Sequence, residues 1–256
     1  MKARIRGWVV LAYTSITMVL FFLLSIPEML LRGHGDRAIW FARHAWGPSI
    51  LKLAGARLEV HSAVLPEGPL VFASNHESAL DIPALLSVLP RNVRFIAKRE
   101  LFRIPIFGWY MRVGGHVPVD RANRSSAIET LRRAGEMVRA GTSLIVFPEG
   151  TRSRDGRVHA FKKGPFLVAM EAGVPVVPVA ISGAGHLNPK AAIAAQPGTI
   201  RISIGEAVRP GDHADKTALL VEVRRRVVMA HLALGGLGGD LDRSVATAGK
   251  EGAAGD

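Results

Sequence analysis

The first 54 residues alternate between apolar and amphipathic stretches that predict two helices. Residues 8–26 carry no charge, and as an α-helix this run rises about 28 Å, close to the thickness of a bilayer core. The segment 36–53 offers a partly aromatic face, with Trp40 and Phe41, that suits the headgroup zone of a membrane. The pattern therefore predicts a helical membrane motif over residues 1–54. It fits either one span or a hairpin that enters one leaflet.

A secretory signal peptide is another interpretation of the first apolar run. The run is longer than the apolar core of most signal peptides, and no cleavage site built from small residues follows it. Basic residues flank the run on both sides, so the positive-inside rule does not orient it. These residues are Lys2, Arg4 and Arg6 before the run and Arg32, Arg37 and Arg43 after it.

Beyond residue 54 the apolar runs become short and alternate with helical segments, a pattern typical of an α/β domain. The runs predict strands at 56–61, 69–73, 93–97, 115–119, 142–147, 174–181 and 199–205. In the last of these, Ile200, Ile202 and Ile204 alternate with polar residues, which indicates a strand near an edge. We expect a mixed, mostly parallel sheet flanked by helices.

Two helices and a tail complete the predicted organisation. Ser126 and Glu129 have capping-box spacing at the start of a helix over 126–140, and Gly141 stands where that helix would end. A further helix is expected near 215–233. The Gly- and Ala-rich stretch 235–256 predicts a disordered tail. The catalytic domain is therefore expected to span residues 55–234.

Composition narrows the class of partner. The chain has 33 Lys and Arg against 21 Asp and Glu, a net charge of +12, which favours an anionic partner. Aromatic residues make up only 6% and no nucleic-acid-binding motif is present, so an anionic membrane surface is favoured over nucleic acid. The chain has no cysteine, which excludes disulfides and thiolate chemistry and suits a protein that faces the cytosol.

The segment 71–81 carries the strongest chemical signal, because an apolar strand runs into a polar turn that contains His76 and Asp81. On one continuous helix a spacing of five residues would separate these side chains by about 140°, so they meet only if His76 lies in the turn and Asp81 opens the helix. Asp81 would then orient an imidazole that acts as a base. The alternative is that Asp81 merely caps the helix and His76 is incidental.

Other polar residues follow the later strands. Arg121, Glu149 and Arg152 stand after apolar runs, and the carboxyl ends of strands in an open α/β sheet gather at one rim, where arginines suit a phosphate. A serine nucleophile at Ser78 is disfavoured because no Gly-x-Ser-x-Gly elbow surrounds it. No pattern of metal ligands is present, so no metal is expected.

Five sequence blocks occur in one order along the chain. They are Asn75-His76-x-x-x-x-Asp81, Phe95–Leu101, Val119–Arg121, Phe147–Ser153 and Val174–Val179. Together they resemble the 1-acylglycerol-3-phosphate acyltransferase family, the HxxxxD glycerolipid acyltransferases. The resemblance covers roughly residues 55 to 210.

The resemblance implies a reaction and a role for each matching residue. His76 is expected to take a proton from the free hydroxyl of lysophosphatidic acid as that oxygen attacks the thioester of acyl-CoA or acyl carrier protein, giving phosphatidic acid without a further cofactor. Pro175 and Pro178 are expected to shape the donor side. Contacts to the acceptor phosphate and glycerol are expected from Lys98, Arg121, Glu149, Gly150, Thr151 and Arg152.

Two departures from the family pattern leave the acceptor open. Glu77 stands where many members have another residue, and His116 with Pro118 replaces the more usual apolar residues. A lyso-ornithine lipid or another lysophospholipid is a rival acceptor, and a non-catalytic lipid-binding protein is a rival class. The apolar stretch 101–111 either lines an acyl tunnel or packs as core. The expected location is the cytoplasmic or inner membrane, with the catalytic domain facing the cytosol.

Overall fold

One mixed sheet of seven strands is present in a computed structural model of the chain, which describes residues 1–32, 36–90, 92–120, 124–190 and 192–245. The strand order is β1-β7-β6-β2-β5-β3-β4, and every neighbouring pair is parallel except β6 with β7. The predicted fold class is therefore confirmed. The strands are β1 (Ala56–Ser62), β2 (Val71–Ser74), β3 (Val93–Lys98), β4 (Val117–Val119), β5 (Ser143–Val146), β6 (Val176–Ser182) and β7 (Gly198–Ile204).

Each predicted strand matches an observed one to within two residues at either end. Strand β7 lies one place in from the edge, next to β1, as its alternating pattern indicated. Ile200, Ile202 and Ile204 are buried while Arg201 is exposed.

The helices flank both faces of the sheet and also form the N-terminal motif. They are α1 (Lys2–Arg32), α2 (Asp36–Phe41), α3 (Gly47–Ala54), α4 (Asp81–Val88), α5 (Phe107–Val113), α6 (Arg124–Arg139), α7 (Gly164–Ala172), α8 (Ala184–Leu187) and α9 (Lys216–Ala233). A π-helical turn at Ala42–Trp46 joins α2 to α3, so the predicted second helix is present with an interruption.

Helix boundaries confirm some of the predicted capping and correct the rest. Asp215 caps α9, because its carboxylate accepts the backbone N–H groups of Thr217 and Ala218 at 2.8 Å each. Helix α6 begins at Arg124, so Ser126 lies inside the first turn and the predicted capping box is wrong. The predicted end is right: Gly141 follows the helix with a φ of +96°.

The core divides into two layers because successive residues of a strand face opposite sides of the sheet. In β2, Phe72 packs in a cluster with α3 and α4, whereas Val71 and Ala73 pack in a second cluster with α6, α7 and α9. The central strands β2, β5 and β6 are buried on both faces. This arrangement fixes the carboxyl ends of the central parallel strands β2 and β5 at one rim of the domain.

Helix α1 lies along the rest of the protein and exposes an apolar side. It packs against α2, α3 and α5, the rings of Phe21 and Phe41 stack at 5.2 Å, and the N–H of Ala195 donates to the carbonyl of Ala3 at 3.0 Å. By length and composition, Lys2–Phe21 would be able to cross a membrane. Its half-exposed apolar residues are Ile5, Trp8, Val9, Leu11, Ile16, Leu20, Leu23 and Leu24.

Residues 235–245 differ from the disordered tail that their composition predicts. The N–H of Val158 donates to the carbonyl of Gly238 at 2.8 Å, and the N–H of Phe161 donates to the carbonyl of Ser244 at 3.0 Å. The guanidinium of Arg224, only 1% exposed, donates to the carbonyl of Val158 and contacts the hydroxyl of Ser244. Backbone bonds and one buried arginine thus hold a segment that has few large apolar side chains. The remaining part of the predicted tail lies outside the described residues.

Candidate active site

The turn between β2 and α4 brings His76 and Asp81 into direct contact. The imidazole Nδ1 lies 2.6 Å from the Oδ2 of Asp81, and Asp81 is the first residue of α4. The predicted meeting of the two side chains is confirmed. The same Oδ2 accepts the backbone N–H groups of Glu77 at 2.7 Å and Ser78 at 2.9 Å. The Asp81 carboxylate therefore binds the turn that precedes the helix, and the view that it merely caps α4 is wrong.

The carboxylate also decides which nitrogen of His76 carries a proton. An ionised carboxylate only accepts hydrogen bonds, so Nδ1 donates and Nε2 keeps a lone pair. The His76 ring stacks on Phe147 with centroids 3.9 Å apart and an interplanar angle of 16°. Both contacts fix the plane of the ring, and the imidazole is poised to remove a proton through Nε2.

The backbone of the turn is held from several sides. The Asn75 side chain both donates to and accepts from the backbone of Ile181, at 2.8 Å each, which ties the end of β2 to β6. The N–H of Ser153 donates to the carbonyl of His76 at 2.7 Å. The hydroxyl of Ser78 donates to the carbonyl of Asn188 at 2.9 Å, so its hydrogen is directed to that carbonyl and not to a base. This arrangement does not support Ser78 as a nucleophile.

Glu149 supports the turn from behind. Its Oε1 accepts the backbone N–H of His76 at 2.9 Å, and its Oε2 accepts the backbone N–H of His159 at 3.1 Å. Burial raises the pKa of this carboxyl to about 8, against the lowering effect of those two hydrogen bonds. The side chain is 5% exposed and both oxygens are engaged, so Glu149 shapes the turn. This corrects the expectation that its carboxylate is available to the glycerol of a substrate.

A cavity of about 640 Å³ opens beside His76. Most of the side chains that line it are apolar, among them Met18 of α1, Ile39 of α2, Trp46, Ile82 and Leu86 of α4, Phe95 and Phe147. In the stretch 101–111, Leu101, Ile104, Phe107, Tyr110 and Met111 line the cavity while Phe102 is buried in the core. The stretch thus contributes to both cavity and core, and its contact with an acyl chain stays a prediction. A depression of about 770 Å³ near Asp215 and Arg226 is larger but lies away from His76. Chemistry and not volume identifies the site.

Cationic and polar groups line the part of the cavity near the turn that carries His76. Lys98, Gly150, Thr151 and Arg152 line the cavity, as their predicted role requires. Lys190 joins them: its Nζ donates to the hydroxyl of Thr151 at 2.9 Å and to the carbonyl of Arg152 at 3.0 Å. Burial lowers the pKa of Lys190, as do the neighbouring charges of Arg154 and Arg152.

Some predicted site residues lie elsewhere. Arg121 falls outside the described residues. Pro175 and Pro178 serve the sheet, because the carbonyl of Pro175 accepts from the N–H of Val71 and Pro178 pairs in register with Ala73. Within the ranges that the structure describes, no three His, Asp or Glu side chains are grouped to hold a metal ion.

The buried histidine of the cavity wall remains uncharged. Burial lowers the pKa of His116 to about 3, and the Arg94 charge acts in the same direction. Its Nδ1 accepts the N–H of Phe95 at 3.0 Å, which requires a lone pair there. His116 therefore adds no charge to the wall of the cavity.

Comparison with known proteins places these features among lipid acyltransferases. A family model described as Acyltransferase matches residues 57–182. A chloroplastic 1-acyl-sn-glycerol-3-phosphate acyltransferase of Brassica napus is 48% identical over 121 residues, which cover 47% of this chain and 35% of that protein. The human 1-acyl-sn-glycerol-3-phosphate acyltransferase beta is 36% identical over 186 residues, covering 68% of this chain and 65% of the human protein. The chain thus spans less than two thirds of these curated relatives.

A solved structure matches over more of this chain than these relatives do. The crystal structure of the 1-acyl-sn-glycerophosphate (LPA) acyltransferase PlsC from Thermotoga maritima is 30% identical, with a TM-score of 0.68. The match covers 86% of this chain and 95% of that one.

Proposed function

The chain belongs to the 1-acylglycerol-3-phosphate acyltransferase family, and from that membership we propose that it transfers a fatty acyl group from a thioester to the free hydroxyl of lysophosphatidic acid, giving phosphatidic acid. One observation carries the proposal. The His76–Asp81 pair stands at the polar end of an apolar cavity that suits an acyl chain.

The proposed chemistry needs one base and no metal or prosthetic group. Nε2 of His76 removes the hydroxyl proton of the acceptor as its oxygen attacks the thioester carbonyl. The tetrahedral intermediate collapses with loss of the thiolate, which takes the proton back from the imidazolium. Asp81 stabilises the imidazolium while it exists, because its carboxylate lies 2.6 Å from Nδ1.

The polar end of the cavity supports an acceptor that carries a phosphate. Lys98, Arg152 and Lys190 bring three cations to the region next to His76. A phosphate attracts such groups through charge-assisted hydrogen bonds, whereas an uncharged headgroup does not. We assign the acceptor phosphate to this cluster, with the hydroxyl of Thr151 and the backbone at Gly150 as neighbours. The donor is proposed to be acyl-CoA or acyl carrier protein, each of which presents the same thioester.

We further propose that the protein sits in one leaflet of the cytoplasmic or inner membrane, with the catalytic domain towards the cytosol. Helix α1 contacts the rest of the protein near its start, through Ala3 with Ala195, and again further along, through Phe21 with Phe41 of α2. An upright span would have to give up one of these contacts. The half-exposed apolar side chains of α1, together with Trp40 and Trp109, suit a helix that lies in the plane of the interface.

An acceptor panel tests the function. Purified protein in detergent receives labelled acyl-CoA or acyl carrier protein with lysophosphatidic acid, lyso-ornithine lipid, lysophosphatidylcholine or monoacylglycerol. We expect rapid transfer to lysophosphatidic acid and little to monoacylglycerol, which lacks the phosphate. His76→Ala is expected to lower kcat by about 10² to 10⁴. His61→Ala is the matched control, because His61 lies exposed on the edge strand β1.

Three outcomes would contradict the proposal. Equal transfer to lysophosphatidic acid and monoacylglycerol would show that the phosphate is not needed for recognition of the acceptor. Full activity of a folded His76→Ala variant would show that His76 is not the base. Lipid binding without turnover in the wild-type protein would favour a non-catalytic lipid-binding protein.

A further inference from the structure

Glu77, the residue after His76, forms its side-chain hydrogen bonds with groups outside the turn. The Oε1 of Glu77 lies 2.9 Å from the Nε2 of His231 at the C-terminal end of α9, and its Oε2 accepts the N–H of Gly185 at 3.0 Å. Glu77 is 6% exposed and His231 is 1% exposed. Both oxygens of a buried carboxylate are therefore occupied by groups from outside the catalytic turn.

The tautomer of His231 follows from its second contact. The Nδ1 of His231 lies 3.1 Å from the backbone nitrogen of Gly238, and a backbone N–H only donates. Nδ1 is therefore the acceptor, and Nε2 carries the hydrogen that is donated to Glu77. Each polar atom of both side chains has a defined partner, which gives the pair one geometry.

The contacts continue from Gly238 to Val158 and His159. The carbonyl of Gly238 accepts the N–H of Val158 at 2.8 Å. Arg224 then bridges the backbone, since it donates to the carbonyl of Val158 at 3.0 Å and to that of His159 at 2.9 Å. The N–H of His159 donates to Glu149, whose other oxygen holds the N–H of His76. Contacts that leave the turn at Glu77 thus return to it at His76.

We propose that Glu77 and His231 are positioning residues that hold His76 in its catalytic placement by tying the turn to the end of α9. The inference rests on the proposed acyl transfer. The backbone N–H of Glu77 is one of the donors that fix Oδ2 of Asp81, so a displaced Glu77 moves the carboxylate that orients His76. Among the residues described, the pair is outside the wall of the apolar cavity, and it acts only through its neighbours. Displacements of about 1 Å in such support cost up to about 100-fold in rate.

Three variants separate positioning from simple folding. His231→Leu removes the donor to Glu77, and we expect kcat to fall about 10- to 100-fold with little change in KM for the acceptor. His231→Gln keeps an N–H that reaches Glu77, so it recovers much of that loss. The double variant Glu77→Leu with His231→Leu also removes the buried carboxylate, so its Tm is expected to lie above that of His231→Leu, although Gly185 and Gly238 each lose an acceptor. Its kcat is expected to stay low.

A control on the same helix removes stability as the explanation. Leu220 is fully buried in α9 within the second core cluster. Leu220→Ala is expected to lower Tm while kcat, measured well below that Tm, stays close to wild type. A double variant whose kcat recovered together with its Tm would overturn the proposal, because the pair would then be structural only.

Hydrogen exchange provides an arm that needs no activity. The amides of Glu77 and Ser78 donate to Asp81, so loss of the tie is expected to speed their exchange in His231→Leu and in the double variant but not in Leu220→Ala. Unchanged exchange in the double variant would overturn the inference. A wild-type protein that showed no acyl transfer while this exchange pattern held would overturn the proposed function and leave the tie established.

Discussion

At the scale of single residues, the Asp81 carboxylate is the centre of the site. One of its oxygens accepts three donors, the imidazole of His76 and the N–H groups of Glu77 and Ser78. The spacing of His76 and Asp81 predicted this contact, because helix geometry forbids it unless the histidine lies in the turn. The spacing held no information on the two backbone donors, which depend on the closed shape of the turn.

Replacement of Asp81 by asparagine tests its charge. Asp81→Asn keeps an oxygen for the backbone donors but no longer stabilises the imidazolium. We expect kcat to fall by about 10² to 10⁴ while the cooperative unfolding transition remains. Steady-state kinetics with saturating acceptor, beside a urea unfolding curve, measures both. Asp212→Asn, at an exposed aspartate, serves as control, and comparable kcat values in the two variants would contradict the role of Asp81.

Glu149 predicts a pH dependence of stability. Its pKa is about 8 in the folded protein against an ordinary value of 4.5, so between these values the folded chain holds a proton that the unfolded chain has lost. Its contribution to the free energy of unfolding is therefore complete below pH 4.5 and is lost as the pH rises to about 8. Glu149→Gln, which has no ionisable group, is expected to lose this decline.

The measurement compares urea unfolding of wild type and Glu149→Gln at several pH values between 5 and 9. His116 acts in the opposite sense, because its lowered pKa makes the folded state less stable as the pH falls below 6.5. That slope is common to both proteins and cancels in the difference. Parallel curves for the two proteins would show that Glu149 is ionised in the folded state across this range.

At the scale of elements, the sequence predicted what depends on local pattern. The seven strands follow from short apolar runs, with alternation only in β7, and the end of α6 follows from Gly141. The predicted capping box at Ser126 is wrong because α6 begins two residues earlier, at Arg124. Helix α1 continues through Pro27 to Arg32, where packing of Ile26 near Tyr110 supports the turn that the proline weakens.

Two glycines with the same backbone conformation allow a controlled test of the junction between β6 and α8. Gly183 and Gly141 both have φ of +96°, but a Cβ at Gly183 would lie 2.4 Å from the carbonyl oxygen of Thr199, whereas nothing lies within 4 Å at Gly141. Gly141→Ala is expected to cost about 1 kcal/mol of unfolding free energy, through strain alone. Gly183→Ala should cost about 1–3 kcal/mol more, through overlap with β7.

Urea unfolding of both variants gives these values. Equal losses would show that the backbone of β7 yields to the added methyl group without cost. Gly183 lies two residues before Gly185, whose N–H donates to Glu77. Gly183→Ala is therefore also expected to have a lower rate of acyl transfer than Gly141→Ala at the same temperature.

At the scale of the whole molecule, charge and exposed apolar surface act together. The net charge of +12 attracts anionic lipid, and the exposed side of α1 provides apolar contact. We expect binding to vesicles that contain phosphatidylglycerol to weaken between about 0.05 and 0.5 M salt, because the Debye length falls below about 10 Å over this range. Binding to phosphatidylcholine vesicles should change little, since it depends on apolar burial.

Co-sedimentation with both kinds of vesicle tests this dependence. Leu20→Glu in α1 should weaken binding to both, while Val64→Glu, at an exposed valine outside the helices, should not. Binding that was independent of salt on the anionic vesicles would exclude a contribution from the basic surface.

Long-range contacts mark the limit of prediction from sequence. Lys190 lies outside the five matching blocks, and Glu77 and His231 are 154 positions apart. No local pattern therefore predicts the contact of Lys190 with Thr151 or that of Glu77 with His231. The segment 235–245 has a composition typical of disorder, yet it is held by Arg224 of α9 and by backbone bonds with Val158 and Phe161. Composition predicts order from the number of apolar side chains that can be buried. It therefore missed this segment, which is held by hydrogen bonds.

The distance along the chain between Glu77 and His231 also has a consequence for synthesis. A nascent chain exposes the strand, the turn and α4 early, long before α9 has left the ribosome. Until α9 docks, the carboxylate of Glu77 lacks its imidazole partner and the turn is free to move. On the proposed role of this pair, a ribosome stalled before α9 would carry a chain that has its motifs but lacks the contact that gives the full rate of acyl transfer.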